Sequence, residues 1–283
     1  MKKNILCVLL ELVILSVYAV DWPQTSFDMS AFNTQFAGSR GSVLSAGVVY
    51  SHQENVKTVD SGEIIFISSK SKNLSQFDSP LGNTVIVINE ENLMNIYGNL
   101  DTIFVKSYQT GVSEDEIIGK SGNSGWKGAN SGLEFQVADI ISKTVINPFI
   151  LFSKPESVQL PVIGNVTAVK KTGTVYNLST VKFLPSDMYY LYFDKNENCM
   201  PFKIVVFVNG KEVENITYNM LKIKEKRLSL NGKNDYIFDE IFPGNNRQLI
   251  SSVILNKGKT IVMIKFYDMN NNEKSISYSF EVR

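Results

Sequence analysis

Short runs of β-branched and aromatic residues, each cut off by glycine, asparagine, proline or aspartate, recur along most of this chain. The clearest are 63–67, 84–88, 133–137, 203–208 and 260–267. Such side chains are stiff at χ1 and fit a pleated, half-buried surface. No window sustains an apolar stripe at 3.6-residue spacing over three turns. The pattern therefore predicts an all-β chain, and its punctuation predicts tight connections.

Two textures divide it. Residues 36–152 are dotted with glycines (Gly38, Gly41, Gly47, Gly62, Gly82, Gly98, Gly119, Gly122, Gly125, Gly128 and Gly132) expected at tight turns. Residues 165–283 carry longer alternating runs with hairpin signals at Asn209-Gly210, Asn231-Gly232 and Lys257-Gly258. About seven strands in roughly 115 residues predict an immunoglobulin-like β-sandwich there. Pro155 and Pro161 place a boundary between 154 and 164. The expected domains are thus 20–155 and 165–283.

Residues 1–19 read as a secretory signal: Lys2 and Lys3 precede an apolar run from Ile5 to Val17, and Val17 and Ala19 suit a cleavage site. That run is shorter than the roughly 20 residues a membrane-spanning helix needs, and Glu11 interrupts it. The expectation is an exported protein of the periplasm or cell envelope, with no integral span after cleavage. Cys7 would leave with the signal, and Cys199 alone could form no internal disulfide. With 28 basic and 28 acidic side chains there is no net field to attract nucleic acid.

The glycine-rich half shows an ordered series of elements. It runs Phe36-Ala37-Gly38-Ser39-Arg40-Gly41, Ser45-Ala46-Gly47-Val48-Val49, Val59 to Ile65, Gly82 to Ile88, and Ile96-Tyr97-Gly98-Asn99-Leu100. Ile118 to Gly125, Gly132-Leu133-Glu134-Phe135-Gln136-Val137 and Asn147-Pro148 follow. In order and spacing this resembles the LytM-type, lysostaphin-like zinc peptidoglycan endopeptidases of peptidase family M23. The resemblance implies a LytM-like antiparallel β-sheet domain over 20–155. It also implies where that family's chemistry would fall. The zinc-binding His and Asp of His-x-Gly-x-Asp fall on Ser45 and Val49, and the His-x-His pair on Gly132 and Glu134. The histidine that stabilises the transition state falls on Asn99.

A catalytic zinc needs about three imidazole, thiolate or carboxylate ligands around an open position. Serine, valine and glycine do not supply them, and Glu134 alone cannot. The expectation is a degenerate member with no catalytic residue, no metal and no cofactor. His52, the one histidine, reads as a turn residue rather than a relocated ligand. Glu114-Asp115-Glu116 reads as a solvated turn. The acidic stretches 194–198 and 268–273 lack the spacing of a calcium loop. Tyr97, Asn99, Trp126 and Glu134 are the residues expected to line whatever groove remains, with Tyr97 and Phe135 alternatively plain core.

The function expected is that of a non-catalytic envelope protein whose pseudo-peptidase domain binds peptidoglycan or regulates a cell-wall hydrolase. A structural or adhesive surface protein acting through the sandwich is the alternative, and an active metallopeptidase with atypical ligands a second.

Overall fold

The computed structural model describes residues 21–69, 79–125, 132–155, 164–194, 200–244 and 246–283. The signal, Cys7, Trp126, Gly128 and Cys199 lie outside these. The N-terminal strands are β1 Phe32–Thr34, β2 Ser39–Arg40, β3 Val43–Leu44, β4 Gly47–Tyr50, β5 Asn55–Lys57 and β6 Gly62–Ser68. They continue with β7 Asn83–Ile88, β8 Leu93–Ile103, β9 Gly111–Val112, β10 Ile117–Ser121, β11 Glu134–Asp139 and β12 Thr144–Ile146. The five runs singled out above all coincide with strands, so the fold is all-β as expected. Because β8 is long, β11 and then β10 pair along one of its edges while β7 pairs along the other.

Four of the glycines expected at turns, Gly47, Gly62, Gly98 and Gly119, lie instead inside strands. What Gly47 provides is a close approach: a Cβ there would overlap the Phe135 carbonyl on β11. Gly82, with φ +62°, is at a genuine turn.

Among the described residues the C-terminal half has eleven strands rather than about seven: β13 Val166–Lys170, β14 Val175–Asn177, β15 Phe183–Leu184, β16 Asp187–Asp194, β17 Lys203–Val208 and β18 Lys211–Lys224. After these come β19 Arg227–Asn231, β20 Tyr236–Ile237, the one-turn α1 Phe238–Ile241, β21 Arg247–Leu255, β22 Gly258–Tyr267 and β23 Glu273–Val282. The β17–β18 hairpin turns through Asn209 (φ +50°) and Gly210 (φ +80°), as the Asn-Gly signal predicts. The β18–β19 hairpin turns through Glu225 and Lys226, which no glycine or asparagine announced. Strands β14-β13-β16-β21 form one sheet; β17, β18, β22 and β23 belong to a second, and one core lies between them.

That second sheet does not stop at the 154–164 boundary. β12 pairs with β18 (Val145↔Leu221, Ile146↔Met220), so one hydrogen-bonded ladder runs from the N-terminal strands into the C-terminal ones. The cores interleave as well. Phe36, Ala37 and Leu44 are buried with the C-terminal core, whereas Met269 is buried with the N-terminal one. Trp22 anchors the start of the described chain: its Nε1 donates to the Ser153 carbonyl (2.7 Å), and its ring meets Phe32, Phe149 and Phe152.

Candidate functional site

Between the β2–β3 hairpin and the turn at Pro80-Leu81 lies a cleft of about 670 Å³, with Val49 of β4 and Glu134 of β11 on its floor. The register sets these two residues directly opposite each other. Glu134 is only 1% exposed. A carboxylate buried that deeply must be paired and hydrogen-bonded to be tolerated.

Arg40 does the pairing. Its Nη1 contacts Glu134 Oε1 and its Nη2 donates to Oε2 at 3.0 Å, a two-pronged arrangement. Gln136 Nε2 also donates to Oε1, at 2.6 Å. Burial lowers the Arg40 pKa, but a guanidinium stays charged at neutral pH. One cation and one anion therefore balance at the cleft floor.

The local sequence explains how Arg40 arrives there. Ala37 (φ +58°) and Gly41 (φ +60°) bend the chain on either side of β2. Arg40 then pairs with Val43, and Ser39 with Leu44. Leu44 and Phe36 are buried in the C-terminal core. One end of the hairpin is thus gripped by the sandwich while Arg40 reaches over β11.

The positions on which the resemblance places zinc chemistry can now be located. Val49 and Glu134 meet in the cleft. Ser45 is buried and its Oγ donates to the Gly47 carbonyl at 2.9 Å. Gly132 has φ +123°, and a Cβ there would overlap the Tyr50 carbonyl oxygen. Asn99 is fully buried in a left-handed conformation (φ +62°). Its Nδ2 donates to the carbonyls of Gly122 (2.8 Å) and Gly132 (2.7 Å), and its Oδ1 accepts from Gly125 N (2.7 Å).

These residues do not fit a zinc ion. Ser45 and Val49 offer no suitable donor, and both Glu134 oxygens already face a positive guanidinium that would repel a dication. Among the described residues, no three His, Cys, Asp or Glu side chains converge as ligands.

The expected groove residues divide. Glu134 lines the cleft. Asn99 instead ties β8 to the 122–125 loop and offers no surface. Tyr97 is fully buried: its hydroxyl accepts from Val59 N (2.9 Å), its ring lies 5.4 Å from that of Phe135, and desolvation raises its pKa. Core packing explains both aromatics. Trp126 lies outside the described residues.

His52 follows β4, half-exposed; its Nδ1 lies 3.3 Å from Ser51 Oγ. Its Nε2 is 3.1 Å from Glu54 Oε1 but poorly aligned for a hydrogen bond. Asp115 and Glu116 form a turn braced by Lys57 (2.6 Å) and Gln109 (2.7 Å). Asp268 accepts from the backbone of Asn270 and Asn272, which makes 268–272 a hairpin turn. The sequence reading gave Arg40 no role. Its signal is a long cation two residues after Gly38, paired through space with the only acid among the positions on which the resemblance places zinc chemistry.

A family model described as Peptidase family M23 matches residues 44–148. A second model, without a description, matches residues 160–283. No curated protein matches the chain. Similar solved structures include the SpoIIQ–SpoIIIAH pore-forming complex (23% identity, 40% of this chain, 68% of that chain, TM-score 0.32). A single-substitution mutant of the catalytic domain of the prophage-encoded M23 protein EnpA from Enterococcus faecalis is 21% identical over 41% of this chain and 86% of that one (TM-score 0.33). Lysostaphin from Staphylococcus simulans is 15% identical over 89% and 95% (TM-score 0.36).

Proposed function

We propose that the domain matched at residues 44–148 by the model for peptidase family M23 is a pseudo-peptidase that grips a ligand without cutting it. The observation that carries this reading is the Arg40–Glu134 pair. A bidentate ion pair takes the place of a metal–ligand set at the cleft floor, while a cleft of about 670 Å³ remains above it. Space of that size suits a short extended peptide. We read its occupant as the stem peptide of peptidoglycan or a loop of a cell-wall hydrolase, and the protein as exported to the cell envelope. Residues 165–283 we read as an immunoglobulin-like sandwich, because β13, β16 and β21 pair on one sheet and β17, β22 and β23 on the other, with β15 parallel to β23.

A second reading, contact through the sandwich, is favoured by one observation. Met188 and Ile254 form a cross-strand pair, 37% and 67% exposed.

The test sediments the full chain with purified sacculi and assays the supernatant for released cross-link peptides. Binding without release is expected, and Thr34→Trp, which blocks the cleft, should abolish it. Released peptides, or binding indifferent to Thr34→Trp, would refute the reading.

A further inference from the structure

A separate cavity of about 310 Å³ opens between the β2–β3 hairpin and the β19–α1 segment. Leu44, Ala46, Leu228 and Phe238 make its floor apolar, while Arg40, Lys226 and Arg227 contribute three cations to its lining and, among the described residues, no acidic side chain lines it. Two of the cations are partly used: Arg40 holds Glu134, and Arg227 Nη1 donates to Asp239 Oδ2 at 2.9 Å. Lys226 makes no hydrogen bond or ion pair among the described residues.

The backbone adds an independent observation. Glu225 and Lys226 occupy both central positions of a two-residue hairpin with φ of +50° and +64°. Asn-Gly normally takes such a turn, because other side chains are strained there. Asn209-Gly210 shows that this chain uses the unstrained solution elsewhere. Strain retained at one hairpin, where Lys226 lines a cavity and has no partner among the described residues, points to a use for its ammonium.

We propose that this cavity binds the free C-terminal carboxylate of a short peptide with a small apolar last residue. Lys226 takes the carboxylate with Arg227 beside it, and the side chain meets Leu228 and Phe238. The volume, at the low end for ligand sites, suits a residue or two. Lys226 and Phe238 do not line the cleft above Glu134, so this site stands apart from the proposed function; among the described residues only Arg40, Ser42 and Val43 border both.

The test is calorimetric titration of the full chain with N-acetyl-alanyl-alanine, its C-terminal amide and acetate. The acid should saturate the protein; the amide and acetate should not. Lys226→Gly removes the ammonium while suiting the positive φ. It should fold at least as stably, bind the acid roughly tenfold more weakly, and still sediment with sacculi if the cleft does. Equal binding of acid and amide, equal binding of acetate, no heat with the acid at about 10 mM, or unchanged affinity in Lys226→Gly would each overturn the proposal.

Discussion

Arg40 spans 94 residues of sequence to hold both carboxylate oxygens of Glu134, a side chain 1% exposed in the middle of a sheet. The arrangement makes each partner the condition for burying the other.

Arg40→Ala is expected to destabilise the fold by about 3 kcal/mol, since it strands a buried charge. Replacing both partners, Arg40→Met with Glu134→Leu, should recover most of that loss. Urea unfolding of the two variants measures the difference. A neutral Arg40→Ala would show that the pair does not hold the hairpin.

Metal affinity should return in stages. Ser45→His, Val49→Asp and Glu134→His together, with Arg40→Ala to remove the cation, restore the family's three ligand types at the positions on which they fall. Roughly one zinc per chain is expected by elemental analysis. Cross-link cleavage is not expected, because the resemblance places the first histidine of the His-x-His pair, the family's base, on Gly132, where φ is +123°. The unaltered chain should purify without stoichiometric zinc.

Asn99 makes three side-chain hydrogen bonds from a left-handed backbone. Asn99→Ala should cost about 2–3 kcal/mol, because the Gly132 carbonyl and the Gly125 amide lose the partners that Asn99 gives them. Asn99→Gly, free of the conformational penalty, should cost about 1 kcal/mol less. Equal losses in thermal unfolding would assign the whole effect to hydrogen bonding.

The Lys170–Asp187 pair (2.8 Å) makes one surface contact of the C-terminal half sensitive to acid. The hydrogen bond from Lys170 holds the Asp187 carboxyl below the ordinary carboxylate pKa of 3.8. A depressed folded-state pKa means the contribution is present above that value and is lost as pH falls through the lower one. Lys170, raised above 10.5, loses its share only as the solution becomes strongly basic. The Tm should therefore fall less steeply below pH 4 in Asp187→Asn than in the parent.

Strand identity was legible because pleat and periodicity are local. The run 203–208 coincides with β17, and Asn209-Gly210 specifies its turn. Two of the positions on which the resemblance places zinc ligands, Val49 and Glu134, lie opposite each other across β4 and β11. Side-chain direction was not legible. Tyr97 read equally as groove or core and Asn99 as groove, and a cross-strand partner and a left-handed bend turn both inward. Arg40 and Trp22 escaped notice because their roles depend on residues about a hundred positions away or more. Glu225-Lys226 escaped because strain leaves no mark in composition.

The ladder joining β12 to β18 bears on how the two halves can be studied. Severing the chain between 155 and 164 would leave two raw sheet edges and bare the C-terminal core where Phe36 and Leu44 had sealed it. Unsealed edges of this kind recruit other chains. Isolated halves should therefore clump, and lost binding in a truncated protein would reflect that damage rather than the whereabouts of the ligand.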